Sequence, residues 1–277
     1  MALLWAVCLT GLMRSTPHPT LAENVRLRLL RVLPDAARVD VFGVFPREDA
    51  SHAERLHAAW PELRNSTLFY RAPEFKAPPG ADTVGVTQYA ERFYQQWSKI
   101  DACLTLVKQR EAEMGVRYDF VLRARSDLYY FIPVSRWLTA DPNVIQTGAG
   151  LGCTPTDHFG AMPRHLAQMY ASAAELTFDR NVTPALLRAQ EHMCHCRGDI
   201  FPECLIAGWL VLRNVEVRNV CDHEYELWRH THVLENGTLS DFWSNVLSGP
   251  LVEPTGLPWS VPTACSGANG TTTVGPT

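Results

Sequence analysis

The chain has 277 residues, of which 46% are hydrophobic and 19% charged, a balance that suits a globular protein able to bury a sizeable core. The net charge is -4, and no run of five or more Lys or Arg occurs. Those two facts exclude the electrostatic footprint of a nucleic-acid binder.

Leu3 to Thr10 is a continuous apolar run of strand length, followed by a turn-rich stretch, Gly11 to Pro19. Ala2 to Met13 also has the length of a signal peptide. It lacks a basic residue ahead of it and a small-x-small site behind it, and it is too short to cross a bilayer. Thr20 and Glu23 form a capping box for a helix carrying Leu21, Val25, Leu29, Val32 and Leu33, which Pro34 stops. Val39 to Phe45 reads as a second buried strand. Strand, helix and strand within 45 residues form a βαβ unit, which predicts a parallel sheet and favours a first strand over a leader.

Ala50 to Ala59 suits a short helix and Thr67 to Arg71 a short strand, ahead of a Pro-rich loop, Ala72 to Gly85. From Thr87 to Met114, Tyr89, Phe93, Trp97, Ile100, Leu104 and Val107 recur at spacings of three and four, so this helix should lay an aromatic stripe on the sheet. Gly115 ends it, and Tyr118 to Arg123 is expected to be the central strand. Asn143 to Thr147, Phe159 to Met162 and Glu216 to Val220 are further strand candidates. Helices are expected from Pro163, over Leu186 to His192, and over Pro202 to Leu212. The fold class that follows is α/β: one domain over residues 1–249, a mostly parallel central sheet flanked by helices, with no transmembrane span. Residues 250–277, rich in Gly, Ser, Thr and Pro, are expected to be disordered.

In Tyr118 to Asp127, YDFVLRARSD, strand alternation puts Arg123, Arg125 and Asp127 on one side and Leu122 and Ala124 on the other. Two guanidiniums and a carboxylate then converge where the strand emerges, the edge at which open α/β sheets bind ligands. A diphosphate needs neutralisation by Arg, Lys, Mg²⁺ or Mn²⁺, and a carboxylate is the usual ligand of those hard cations. The competing reading is a local Arg125–Asp127 ion pair, with Arg123 packed along a neighbouring helix.

Four sequons, at Asn65, Asn181, Asn236 and Asn269, lean toward the secretory pathway, with a cytoplasmic location as the alternative. Eight cysteines are more than a cytosolic enzyme of this size needs. Those in His192-Met-Cys194-His-Cys196, with Cys204, Cys221 and His223, suit disulfides, free thiols or zinc; the paired Cys-x2-Cys knuckle of a zinc site is missing.

The order from Gln88 to Asp127, an aromatic helix with Trp97, Lys99 and Cys103 and then YDFVLRARSDL, resembles a group of GT-A like glycosyltransferases from plants, algae, large viruses and bacterial polysaccharide clusters. Gly11-Leu-Met-Arg14, Asp40-Val-Phe42, Asp157-His-Phe159 with Arg164, and Pro202-Glu203 match the same group in order, so the resemblance covers residues 3 to 220. It implies a single GT-A, Rossmann-like domain that transfers sugar from a nucleotide-diphosphate-sugar to a glycan or protein acceptor; with the sequons, the expected location is the Golgi lumen. Arg14, Arg123, Arg125 and Asp127 would bind the donor. Asp157 or Glu203 would take the acceptor proton. Asp127 stands at the last acid of the metal-binding Asp-x-Asp motif, whereas Arg125 replaces the first; Mn²⁺ or Mg²⁺ use is therefore an open alternative. A catalytically inactive nucleotide-sugar or glycan-binding protein is the other reading of the same fold.

Overall fold

The computed structural model describes residues 2–13, 16–75, 84–130, 133–150, 154–173, 202–220 and 225–227. Leu3–Thr10 forms β1, and its neighbours are β2 (Ala36–Pro46) on one side and β4 (Phe120–Arg125) on the other, both parallel to it. β3 (Thr67–Tyr70) extends the sheet beyond β2. On the other flank lie β7 (Thr154–Pro163), β6 (Val144–Gly150) and β8 (Glu216–Val220), which complete the order β3-β2-β1-β4-β7-β6-β8. β7 runs antiparallel to both β4 and β6, so the sheet is mixed although mostly parallel. A second, two-stranded sheet pairs β5 (Leu128–Tyr130) with β9 (Tyr225–Leu227).

Helices cover both faces because β1 and β4 are apolar on both sides. One face packs against α1 (Pro19–Arg28) and the segment from α2 (Ala53–Ala59) to Leu63, with Trp5, Leu122 and Trp60 in its core. The other packs against α3 (Val84–Met114), α4 (Arg164–Ala171) and α5 (Pro202–Leu212). From Phe93 to Val107 the stripe of α3 is buried as its spacing predicts: Phe93 stacks on Trp97 at 4.4 Å, and Trp97 Nε1 donates to the Tyr170 carbonyl at 3.2 Å. Truncating Trp97 to Ala should cost about 3–5 kcal/mol.

Several local expectations are revised. Thr20 does not cap α1; His18 does, its Nδ1 accepting from Thr20 N–H, because Pro19 takes the first helical position and shifts the start upstream. The segment before α2 is a 3-10 turn from Arg47 to His52. β4 begins at Phe120, later than expected, and reaches Arg125. The Leu186 to His192 helix, the His192 to Cys196 cluster, three of the four sequons and the 250–277 tail lie outside the described residues.

Cys8, in the middle of β1, is disulfide-bonded to Cys103 of α3, and both are buried. Cys204 is also disulfide-bonded. The bond joins α3 to the centre of the sheet across 95 residues of chain.

Candidate functional site

The chain leaves β1 toward β2 on one side and later returns to β4 on the other, so the direction of winding reverses between β1 and β4. Such a reversal opens a crevice at the carboxyl ends of the two strands, where α/β sheets place ligands. Thr10 and Arg125 are the paired last residues of these strands. The described residues at these strand ends are Gly11 to Met13 and Thr16 after β1, and Arg125, Ser126 and Asp127 after β4.

The two connections are tied together. Ser126 N–H donates to the Thr10 carbonyl at 3.1 Å, Ser126 Oγ donates to the Leu12 carbonyl at 3.1 Å, and Thr16 Oγ1 donates to the Ser126 carbonyl at 3.2 Å. Gly11 permits the approach: its φ is +146°, and a Cβ there would sit 3.1 Å from Ser126 Oγ. Met13 N–H donates to Asp49 Oδ2 at 3.0 Å, and Trp60 Nε1 to the Thr16 carbonyl at 2.8 Å, which anchors the connection to the ends of β2 and α2. Arg14 is outside the described residues, but Met13 and Thr16 on either side of it are held at this rim.

Arg123 points toward the α3 face, while Leu122 and Ala124 enter the opposite core, as strand alternation predicts. Arg123 is 1% exposed; its Nε donates to Thr10 Oγ1 at 3.3 Å, and its guanidinium lies 5.8 Å from the Trp97 ring centroid. Arg125 holds Asp127 in a bidentate pair, Nε to Oδ1 at 2.9 Å and Nη2 to Oδ2 at 2.8 Å. The local ion pair and the helix-packed arginine anticipated as the competing reading are both present. Arg123 is buried beneath the carboxyl end of β4, and the Arg125–Asp127 pair is partly exposed at it.

Lys99, which the sequence marks only through the family resemblance, lies toward this rim. Cys103 binds Cys8, and Lys99 lies one turn nearer the start of α3, which points it toward the carboxyl end of β1. Burial pushes its ammonium below the ordinary value of 10.5; Glu48 and Asp49 oppose that, and Arg123 adds to it. The available signal was a lysine one turn before Cys103 on α3. Glu48 and Asp49, beyond β2, gave none until the strand ends were aligned.

β7 antiparallel to β4 pairs Phe159 with Ala124, so the backbone of Asp157 lies two residues further toward the same rim. Its side chain is not among those described. α5 leads into β8 through residues 213–215, and this connection directs Glu203, in the first turn of α5, toward the carboxyl ends of the strands. Both proposed bases therefore come from elements that reach the rim, on the β7 side of Arg125.

The donor set fits a metal poorly. Both oxygens of Asp127 accept from Arg125, and among the described residues no three His, Cys, Asp or Glu side chains converge as a metal group. No protein-family model matches the chain, and no curated protein matches it significantly.

Proposed function

We propose that the chain is a GT-A type glycosyltransferase whose crevice between β1 and β4 binds the diphosphate of a nucleotide-sugar. The supporting observation is the pair of cations Arg125 and Lys99 toward the carboxyl rim where the winding reverses, with Arg123 buried directly beneath them. A diphosphate carries the opposite charge and would relieve the repulsion between Lys99 and Arg123. Arg14 supplies a further cation from the connection after β1.

During transfer the bond between the sugar C1 and the diphosphate oxygen breaks, and its electron pair leaves on the diphosphate. Arg123 and Arg125 stabilise that charge, and Asp127 fixes the plane of the Arg125 guanidinium. The acceptor hydroxyl of a glycan or glycoprotein forms the new bond to C1 and gives its proton to Asp157 or Glu203. No step is routed through a metal, because both oxygens of Asp127 already accept from Arg125. Secretion through the Golgi lumen accords with the sequons and with the buried disulfide.

Asp127→Ala should abolish transfer while leaving the fold intact; full activity in that variant would sink the assignment. A thermal-shift screen of UDP-, GDP- and CMP-sugars with and without Mn²⁺ tests donor binding directly. One donor should raise Tm, with little dependence on the metal. The second reading, a silent nucleotide-sugar or glycan-binding protein, draws on the same Asp127 geometry, since the only acid of the motif is already committed to Arg125. Donor binding without turnover across an acceptor panel would favour it.

A further inference from the structure

At the opposite end of the sheet, the chain turns from the 3-10 segment Pro61–Leu63 into β3 through Arg64, Asn65 and Ser66. This turn holds the one sequon that falls within the described residues, Asn65-Ser66-Thr67. The two hydroxyl residues hold the backbone of the turn: Ser66 Oγ donates to the Val41 carbonyl at 2.6 Å, and Thr67 Oγ1 to the Leu63 carbonyl at 2.7 Å. Asn65 itself is exposed.

Beside Asn65 the edge of β2, the 62–66 turn and the last turns of α3 enclose an open groove of about 510 Å³. Val39 and Leu106 give it apolar patches, and Gln109, Arg110 and Glu113 line its α3 side with donors and acceptors. That mixture suits a pyranose, which presents C–H faces and a rim of hydroxyls. A separate observation concerns compartment. The Cys8–Cys103 bond is sealed in the core, with 1% and 0% exposure, so it closes as the chain folds, which accords with an oxidising lumen. A sequon that folds there meets the machinery that modifies Asn.

We infer that Asn65 carries an N-linked glycan, and that its first sugars lie in the groove between the β2 edge and α3. The assignment is independent of the donor site, which lies at the other rim of the sheet.

The test uses the full wild-type chain, directed into the secretory pathway of a eukaryotic host and recovered folded. Glycopeptide mass spectrometry should find the Asn65 peptide glycosylated, and Asn65→Gln should remove one glycan's step in gel mobility. An Asn65 peptide recovered mainly unmodified from secreted, oxidised protein would overturn the assignment. Enzymatic removal of the glycan from the folded protein should then raise hydrogen exchange across Leu106 to Glu113. Unchanged exchange there would overturn the groove placement.

Discussion

Each rim of the sheet carries a bidentate arginine–carboxylate pair of nearly the same geometry. At the amino-terminal rim of β4, Arg164 donates from Nε and Nη2 to Glu111, both at 2.8 Å; at the carboxyl rim Arg125 does the same to Asp127 at 2.9 and 2.8 Å. Their settings differ. Arg164 and Glu111 lie 53 residues apart and join the start of α4 to the end of α3, with side chains only 8% and 12% exposed. Arg125 and Asp127 are two residues apart, join no separate elements, and leave the arginine 26% exposed at the carboxyl end of β4. The first pair couples elements that would otherwise be free to slide; the second orients a charge. Identical bonding chemistry thus serves stability at one end and, in the reading proposed, ligand binding at the other.

The largest effect should come from the disulfide that lies midway between the rims. Replacing Cys8 and Cys103 by Ala should lower stability by about 4 kcal/mol, read by urea titration, given the 95 residues it closes. Next, Glu111→Ala should cost about 3 kcal/mol, because it strands a nearly buried guanidinium, and donor-induced thermal shifts should be unchanged. Asp127→Ala should reverse that pattern: a stability loss of about 1 kcal/mol and a loss of donor affinity on the order of 30-fold by calorimetry. If Asp127→Ala destabilised as much as Glu111→Ala, the contrast between the rims would fail.

A smaller effect sharpens the same contrast through pH. Burial alone would raise the Glu111 carboxyl, but hydrogen bonds from Arg164 and from Tyr118 N–H outweigh it, and its value is held below the ordinary 4.5. A carboxyl depressed in the folded state contributes stability that is fully present above the unfolded value and lost as pH falls through the folded one. Tm of the wild type should therefore fall below pH 4.5 more steeply than that of Glu111→Gln. Parallel curves would show that the pair adds nothing to acid stability.

Much of this arrangement was legible in the residues. Leu3–Thr10 has the bounds of its apolar run, and α3 buries the stripe its spacing marks out, because uninterrupted hydrophobic runs leave few alternatives. The reversed direction of β7 was not legible, since side-chain alternation is the same whichever way a strand runs. Nor was the Cys8–Cys103 pairing, because each cysteine sits in an apolar context where it reads as a small hydrophobe, and the cysteines clustered near residue 194 drew attention instead. The charged end of β4 was readable as residues, whereas its partners Lys99, Glu48 and Asp49 come from segments that only the alignment of strand ends brings together.

The bond between Cys8 and Cys103 also turns the first third of the chain into a covalent ring that contains β2, α2 and β3. A single cut by a protease anywhere inside that ring cannot release a fragment. The cleaved protein should migrate as one species until a reductant is added, and only then separate into two pieces. Glu48 and Asp49 lie within the ring and Arg123 to Asp127 outside it, so the crevice is assembled from both sides of a junction that survives such a cut.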